Sequence, residues 1–314
     1  MPQPFVVRLC NWIGDVVLSL PALRLLQAHG FDLHLYGKGW APTLLSGYDW
    51  HVTTRDKAFA GRVRELAALR RKLTTADPPM RRRLNALAMP NSFSSAIELR
   101  LAGFRASGFA RDGRSLLLSQ RQPPVAAPHA LESFWALACG VLGLTLPAPK
   151  RIEMHLADAA VERARALIEQ RGWSAGFVCV APFAAGTVHK QPKKWPGFPR
   201  FVSELSRLGL PIVVCPGPGE RDEAQALYGG AEIVDDLPLD AYAALLRESR
   251  LVVANDTGPG HIAAGVGAPL ISVLGPTKVE QWAPWGPTVT VLSGRPDWPE
   301  LDQVLAGAKA QLAT

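Results

Sequence analysis

The sequence lacks the long apolar runs of a membrane protein. No stretch reaches the roughly 18 to 20 consecutive apolar residues that a membrane-spanning helix needs. The amino terminus lacks the basic, apolar and small-residue regions of a secretion signal, and low-complexity tracts are missing as well. We therefore expect a globular protein located in the cytosol.

Cysteine is scarce and scattered. The chain has 4 cysteines, and they form no Cys-x-x-Cys pair and have no histidine at ligand spacing: Cys10, Cys139, Cys179 and Cys215. Three of them lie among apolar residues, where a free thiol packs as a small hydrophobic group. The pattern predicts reduced, buried thiols rather than disulfides or a metal site.

Two motifs that would indicate other functions are also missing. A nicotinamide-dependent dehydrogenase needs Gly-x-Gly-x-x-Gly after its first strand, and residues 10–15 read CNWIGD instead. Gly217 and Gly219 form only part of this motif, which is too little to indicate a dehydrogenase. A protein that binds nucleic acid needs aromatic residues among its basic ones, and the basic run 58–87 contains only Phe59. Both functions are disfavoured.

What is present is a regular alternation of short apolar segments and amphipathic segments. This alternation is typical of parallel sheets covered on both faces by helices. The 314 residues suffice for two such domains, and residues 144–150 (LTLPAPK) have the composition of a linker. We predict an α/β protein with domains at 1–150 and 151–314, each binding ligands beyond the carboxyl ends of its strands.

The two halves differ in charge. Residues 1–150 contain 19 Lys and Arg against 9 Asp and Glu, a net charge of +10, whereas residues 151–314 carry a net charge of −3. The first half should therefore meet an anionic partner. Nucleic acid, an anionic membrane surface and a phosphorylated or carboxylated substrate all satisfy this requirement.

The sharpest motif is residues 255–261 (NDTGPGH), which follow the apolar strand 251–254 and open a helix. Glycines permit a tight turn there, and the unpaired amides of a helix start attract anions such as a diphosphate. The alternative is an ordinary strand–helix turn in which Asp256 or Thr257 caps the helix. His261 would then be a core or capping residue.

A second motif is residues 11–15 (NWIGD), between the first strand and the first helix. Asp15 lies where a carboxylate could act as general base toward an incoming hydroxyl. The alternative is that Asp15 caps the helix. Trp12 could form a wall of the site or pack between domains.

Two further turns follow strands in the second half. Residues 186–196 contain Thr187, Lys190, Lys193 and Lys194, whose hydroxyl and ammonium groups could neutralise phosphate oxygens, or could form a solvated basic turn. Glu220, after residues 216–219 (PGPG), could hold a ribose hydroxyl or begin a helix.

At these residues the chain resembles glycosyltransferase family 9, the ADP-heptose:lipopolysaccharide heptosyltransferases. The resemblance extends over nearly the whole chain. Segments 11–15 (NWIGD), 90–96 (PNSFSSA) and 193–196 (KKWP) resemble the heptosyltransferase II branch. Segments 256–261 (DTGPGH) and 274–277 (LGPT) resemble motifs shared with the heptosyltransferase I branch.

The resemblance implies two Rossmann-like domains facing each other across a cleft, the GT-B fold. It implies inverting transfer of heptose from ADP-heptose onto the lipopolysaccharide inner core, without a cofactor or an obligatory metal. The lack of an Asp-x-Asp motif agrees with metal-free departure of the nucleotide. The alternative is a related enzyme that uses another nucleotide-diphosphate sugar.

When the functional residues of the family are matched to this sequence position by position, the resemblance implies roles for single residues. Asp15 would be the general base of the acceptor-binding first domain. In the second domain, Lys193 with Thr187 nearby would contact the diphosphate, and Glu220 the nucleoside. The other donor-binding residues would be Asp256, Thr257, Gly258 and His261. The loop from 186 to 193 is about one residue longer than the family pattern.

The basic residues of the first half suit an acidic, lipid-linked oligosaccharide acceptor, which implies peripheral contact at the inner face of the cytoplasmic membrane. The acceptor-binding candidates are Arg62, Arg81, Arg82 and Arg83, within a basic cluster that also includes Arg64, Arg70, Arg71 and Lys72. The alternative for part of this cluster is a solvated helix face.

Overall fold

The structure is a computed structural model that describes residues 2–126, 129–188 and 191–313. The chain divides into two compact units, Met1–Pro149 and Lys150–Thr314. The division falls inside the proline-containing segment 144–150. Each unit is built around its own parallel sheet.

The first unit alternates strands and helices. Its strands are β1 (Gln3–Arg8), β2 (Phe31–Gly37), β3 (His51–Thr54), β4 (Ala86–Ala88), β5 (Ala106–Phe109) and β6 (Gln120–Gln122). Its helices are α1 (Ile13–Ala28), α2 (Ala41–Leu44), α3 (Phe59–Ala76), α4 (Phe93–Leu101) and α5 (Ala130–Leu142), with 3₁₀ turns at Pro78–Arg81 and Arg114–Leu117.

The first sheet has the order β3-β2-β1-β4-β5-β6, and all its strand pairs are parallel. The chain order reverses direction between β1 and β4. The carboxyl edge of a sheet is the edge where its parallel strands end, and the amino edge is the edge where they begin. The loops after β1 and β4 meet at the carboxyl edge, which is where ligands of doubly wound sheets bind.

Both faces of this sheet are covered by helices. On one face, α1 packs against α5, and most of α1 is buried. On the other face, α3 and α4 contribute Leu66 and Leu99 to a core that also contains Val6 and Tyr36 of the sheet. Burying each large apolar side chain stabilises the fold by about 1.5–3 kcal/mol.

The second unit repeats the pattern. Its strands are β7 (Val178–Ala181), β8 (Thr187–Val188), β9 (Gln191–Pro192), β10 (Ile212–Val214), β11 (Glu232–Ile233), β12 (Leu251–Asn255), β13 (Leu270–Leu274) and β14 (Val289–Ser293). Its helices are α6 (Asp158–Gln170), α7 (Phe198–Leu205), α8 (Arg221–Leu227), α9 (Leu239–Glu248), α10 (Gly258–Val266), α11 (Val279–Trp282) and α12 (Leu301–Leu312), with a 3₁₀ turn at Ser206–Leu208.

The second sheet has the order β11-β10-β7-β12-β13-β14, again parallel, and β8 and β9 form a separate antiparallel hairpin. The order reverses between β7 and β12. An aromatic cluster of Trp195, Phe198 and Phe201 packs against the sheet, with ring centroids of Trp195 and Phe198 5.1 Å apart. The segment after β7 is therefore anchored in the core.

The predicted α/β class with two Rossmann-like domains is confirmed by these two sheets. The edge strand β6, the hairpin β8–β9 and the short helices α2 and α11 were missed, because they are short and lack an apolar periodicity. Within the described part of the chain, no helix is both long and apolar enough to cross a membrane.

Candidate functional site

The residues predicted to carry chemistry cluster at the reversal points of the two sheets. Asp15 follows β1, which neighbours β4 across the reversal of the first sheet. Residues 256–261 follow β12, and residues 182–196 follow β7, which neighbours β12 across the reversal of the second sheet. Each unit therefore places its predicted residues at the carboxyl edge of its own sheet.

Asp15 lies in the first turn of α1 and is half-buried. The N-cap of this helix is Trp12, so the alternative that Asp15 is the capping residue was wrong. Amide groups of the first turn and the helix dipole favour a carboxylate at this position. Burial raises the pKa of the neighbouring Cys10 thiol, and the negative charge of Asp15 raises it further.

An exposed aromatic side chain flanks Asp15. Trp12 is 59% exposed, and the ammonium nitrogen of Lys38, which follows β2, lies 5.2 Å from the centroid of its ring. A large exposed ring next to a cation is a surface on which a sugar ring could stack.

A buried ion network holds the loop that contains Asp15. Arg8, the last residue of β1, contacts Glu98 of α4 at 3.4 Å between Nε and Oε2. The same guanidinium donates to Oδ1 of Asn11 at 3.2 Å and to the carbonyl oxygen of Leu9. Arg62 of α3 donates from Nε to Oε1 of Glu98 at 2.7 Å. One carboxylate is thus shared by two arginines.

Three arginines lie close together at the carboxyl edge of the first sheet. Arg55 follows β3; burial lowers its pKa, and the charges of Arg8 and Arg62 lower it further. An arginine nevertheless stays charged. Arg8 and Arg62 contact the carboxylate of Glu98, and the charge of Arg55 lies near all three. The neighbouring carboxylate of Glu65 is engaged by the Tyr36 hydroxyl and the Asp56 amide. A cluster of three arginines around the Glu98 carboxylate suits an anionic ligand. No sequence pattern indicated Arg8 and Arg55, because only strand pairing brings them together.

The predicted acceptor-binding arginines do not lie together. Arg62 is at the carboxyl edge, next to Glu98. Arg81, Arg82 and Arg83 precede β4 and lie at the amino edge of the same sheet. Helix α3, with its 18 residues, spans roughly 27 Å between the two groups. Arg83 pairs with Asp77, whereas Arg81 and Arg82 are exposed.

In the second unit, Asp256 is the centre of a polar cluster. Its side chain is only 5% exposed. Its Oδ2 accepts hydrogen bonds from Lys193 Nζ and from the Thr277 hydroxyl, both at 2.6 Å. Its Oδ1 lies 3.9 Å from Nε2 of His261, which is beyond hydrogen-bond length but close enough for charge attraction. Thr277 was not among the predicted site residues.

The environment keeps Asp256 ionised. Burial by itself raises the pKa of this carboxyl, but attraction to His261 and to the Lys193 ammonium outweighs burial and holds the pKa well below its usual range. His261 is almost fully buried, and its Nδ1 has no hydrogen-bond partner within the described part of the chain. A buried nitrogen without a partner costs free energy unless a ligand satisfies it.

The start of helix α10 is open to a ligand. Thr257 occupies the N-cap position, as the capping alternative expected, but its side chain makes no capping bond to the described residues, and Asp256 is not the cap. The first amides of a helix have no partner within it. A Cβ atom at Gly260 would lie 3.2 Å from the carbonyl oxygen of Asn255, so a small residue is needed for this tight turn.

Asn255 joins the loop after β12 to the loop after β7. Its Oδ1 accepts from the backbone amide of Trp195 at 3.0 Å, and its Nδ2 donates to the carbonyl oxygen of Pro182 at 2.6 Å. The Trp195 indole donates to the carbonyl oxygen of Pro299 at 3.2 Å. These bonds fix Lys193, two residues before Trp195, against Asp256.

The remaining predicted donor residues lie on adjacent loops. Thr187 is exposed in β8, where it pairs with Pro192 directly before Lys193. Lys190 lies outside the described residues. Glu220 follows β10, and its Oε2 accepts from the amide of Gly217 at 2.8 Å, which closes the turn that leads into α8. Lys194 forms an exposed pair with Glu223 instead of joining Asp256.

One group within the described ranges has the composition of a metal site: Asp32 and His34 of β2 and His51 of β3. Nε2 of His34 lies 3.1 Å from Oδ2 of Asp32, and Nε2 of His51 lies 3.5 Å from Oδ1. The pairing of His34 with His51 across two strands creates the group, so sequence spacing could not find it. It lies on the strand bodies, apart from the loop of Asp15.

Solved structures of similar fold exist for the whole chain. The structure of the Escherichia coli ADP-heptose lipopolysaccharide heptosyltransferase II has a TM-score of 0.79 at 21% identity, covering 99% of both chains. A glycosyl transferase family 9 protein from Veillonella parvula gives 0.81 at 15% identity, covering 99% of this chain and 97% of that one. Escherichia coli heptosyltransferase WaaC with ADP gives 0.71 at 22% identity, covering 99% of both.

Sequence relatives cover a smaller part. Lipopolysaccharide heptosyltransferase 3 of Escherichia coli is 28% identical over 147 residues, which are 43% of this chain and 42% of that protein. The chain thus matches about two fifths of the length of this curated relative. The structural neighbours establish the GT-B fold that the resemblance implied.

A family model extends the match over most of the chain. The model for glycosyltransferase family 9 (heptosyltransferase) matches residues 83–307, which include β4, the second sheet and the whole Asp256 cluster. This range exceeds half of the chain. The chain therefore belongs to glycosyltransferase family 9, the heptosyltransferase family.

Proposed function

We propose that this glycosyltransferase moves heptose from ADP-heptose onto an acidic lipopolysaccharide inner-core acceptor, with inversion at the anomeric carbon. The observation that carries the proposal is the Asp256 cluster, which places Lys193 and the open start of α10 together within a family-9 chain. Neighbours of the same fold are named for ADP-heptose and contain ADP. A different nucleotide-diphosphate sugar is the alternative donor.

The second unit binds the donor in this proposal. The diphosphate lies at the start of α10, against Thr257, Gly258 and His261, and the Lys193 ammonium reaches it while remaining bonded to Asp256. Thr187, on the adjacent hairpin, adds a hydroxyl. Glu220, whose Oε2 is engaged by Gly217, contacts the nucleoside through its other oxygen.

The first unit binds the acceptor and supplies the base. Asp15 accepts the proton of the acceptor hydroxyl while that oxygen attacks the anomeric carbon, on the face opposite the leaving diphosphate. The bond from the anomeric carbon to the diphosphate breaks as the new glycosidic bond forms. The proton ends on the Asp15 carboxylate, and the electron pair ends on the nucleotide.

The transition state places extra negative charge on the departing diphosphate. Donors that already point to that position stabilise the transition state more than the ground state, and only this difference raises the rate. Rigid anchoring of Lys193 and of the α10 amides, through Asp256 and Asn255, meets this requirement.

The acidic groups of the acceptor meet the carboxyl-edge arginines. Arg55 and Arg62 lie on the same edge as Asp15, where three arginines share one carboxylate. Arg81, Arg82 and Arg83 lie at the opposite edge, so in this proposal they act on a part of the acceptor or its membrane that is distant from the reacting hydroxyl. The enzyme works in the cytoplasm, in peripheral contact with the inner face of the membrane.

The test is a donor panel. Purified protein is incubated with a heptose-free inner-core acceptor and with ADP-heptose, UDP-sugars or GDP-sugars, and the products are identified by mass spectrometry and by NMR of the anomeric linkage. The proposal expects transfer from ADP-heptose with inversion. Transfer only from a UDP- or GDP-sugar would mean that the enzyme is a glycosyltransferase with a donor other than ADP-heptose. Retention of configuration at the anomeric carbon would contradict the role of Asp15.

A further inference from the structure

A polar cavity of about 320 Å³ lies in the first unit, away from Asp15. Its charged lining consists of three arginines: Arg81, Arg100 and Arg105. Ser119 and the apolar stretch Leu116, Leu117 and Leu118 complete much of its wall. The volume is in the range of sites that bind small organic ligands.

The arginines of this cavity are not neutralised by the described residues of their unit. Within residues 2–126 and 129–149, no carboxylate lies within ion-pair distance of Arg81, Arg100 or Arg105. A fourth arginine adjoins the cavity: the guanidinium of Arg70 lies against Gly103, close enough that a Cβ there would be 3.3 Å from it. Nε of Arg70 is buried and has no hydrogen-bond partner among the residues that the structure describes.

This arrangement differs from ordinary helix-end arginines. Arg100 lies in the last turn of α4, where the helix dipole favours a cation, and this alone would need no ligand. Arg81 and Arg105, however, come from a 3₁₀ turn and from the residue before β5. Three separate segments therefore direct like charges toward one cavity, and the mutual repulsion favours a bound anion.

The cavity lies at the amino edge of the sheet. Arg81 precedes β4, Arg105 precedes β5 and Ser119 precedes β6. Asp15 and Arg8 are at the carboxyl edge. The arginine cavity is therefore a site of its own within the first unit, separate from the carboxyl edge that contains Asp15.

We propose that the cavity lined by Arg81, Arg100 and Arg105 binds a phosphate ester. A planar guanidinium with several donors matches phosphate oxygens, and two or three such groups can surround one phosphate. The side chain of Leu116 in the wall is 80% exposed, which provides apolar surface next to the charges. This combination favours the headgroup phosphate of a membrane lipid over a soluble phosphate compound.

The site rests on this cavity alone and does not depend on the proposed sugar transfer, so it is tested by binding. Pyrophosphate could also bind the diphosphate site proposed for the second unit, so the parent protein and every variant derived from it carry Lys193→Ala, which weakens that site. Each protein is titrated with inorganic pyrophosphate by calorimetry, and it is sedimented with vesicles of phosphatidylcholine alone or with about 30% phosphatidylglycerol. The variant is Arg100→Gln with Arg105→Gln. The matched control is Arg151→Gln with Arg165→Gln, which removes the same charge from exposed positions of the second unit.

We expect the cavity variant to lose about tenfold in affinity for the phosphate-bearing partner, and the control to keep it. If the protein sediments with the anionic vesicles but does not bind pyrophosphate, the ligand of the cavity is a lipid headgroup. If it binds pyrophosphate but does not sediment with the vesicles, the ligand is a soluble phosphate ester. A Leu116→Ser variant should weaken vesicle binding and leave pyrophosphate binding unchanged, if the source is lipid.

Two results would overturn the site. One is equal binding by the parent protein and the cavity variant. The other is an equal loss in the cavity variant and in the control, which would show a response to net charge only. Circular dichroism establishes that each variant is folded; should the double variant unfold, Arg100→Gln and Arg105→Gln are tested singly, because both side chains are exposed.

Discussion

The two carboxyl edges of this chain handle charge in opposite ways. In the second unit, the single buried carboxylate of Asp256 is matched by Lys193, Thr277 and His261. In the first unit, Arg8, Arg55 and Arg62 surround the single carboxylate of Glu98. The Asp256 cluster is balanced within the protein, whereas the Glu98 cluster has more arginines than carboxylates.

The difference indicates how the residues at each edge bind a ligand. A balanced cluster keeps its geometry without a ligand, so its amides and ammonium group are in place when charge develops in the reaction. An unbalanced edge attracts an anion and gains stability when that anion binds. In our proposal, the donor site is therefore rigid in advance and the acceptor site is completed by the acceptor.

The largest effect is expected at Asp15. An Asp15→Asn variant should lose about 10² to 10⁴ in turnover, because a general base commonly contributes that factor. Donor affinity should remain, since the donor lies in the other unit. Turnover and ADP-heptose affinity are measured together, with Asp49→Asn, an exposed position of the same unit, as the control. Normal turnover would remove Asp15 from the mechanism.

The next largest effect is expected at Lys193, and its neighbour Lys194 serves as the control. Lys193→Ala should weaken ADP binding and turnover by roughly tenfold to a hundredfold, because it removes a charged hydrogen bond and disorders Asp256. Lys194→Ala removes an equal charge from an exposed pair with Glu223 and should change both by less than about threefold. Similar effects in the two variants would show that only net charge matters.

The buried carboxylate of the first unit should affect stability. Glu98→Gln leaves Arg8 and Arg62 with a neutral partner, and we expect it to lower the free energy of unfolding by about 2–4 kcal/mol. Glu204→Gln, in an exposed pair with Arg207, should cost less than about 1 kcal/mol. Denaturant unfolding curves measure both. Equal stability of Glu98→Gln and the wild type would mean that the network does not hold this edge.

A smaller effect is expected at Arg55. Arg55→Gln should raise the Michaelis constant of the acceptor by about tenfold and leave that of the donor unchanged, because it removes one charged contact to an acidic acceptor. Arg64→Gln, exposed on α3, is the control with the same change of charge. If the two variants behave alike, the carboxyl-edge arginines have no special role for the acceptor.

Much of the fold could be predicted from the sequence, because apolar strands and amphipathic helices leave a clear periodicity. The positions of Asp15 and of residues 256–261 could also be predicted, since both lie at the start of a helix that comes after an apolar strand. The shared carboxylate of Glu98 could not, because it lies in the middle of a helix. Arg62 and Arg81 look like one basic cluster in sequence, and only the length of α3 separates them.

The most direct test of the account is hydrogen–deuterium exchange of the protein with and without ADP. If the diphosphate binds at the start of α10, the amides of residues 256–261 and of the Lys193 segment should exchange more slowly with ADP, and residues 11–15 should not change. Protection that appears around Asp15 and is absent from residues 256–261 would contradict the assignment of the donor to the second unit.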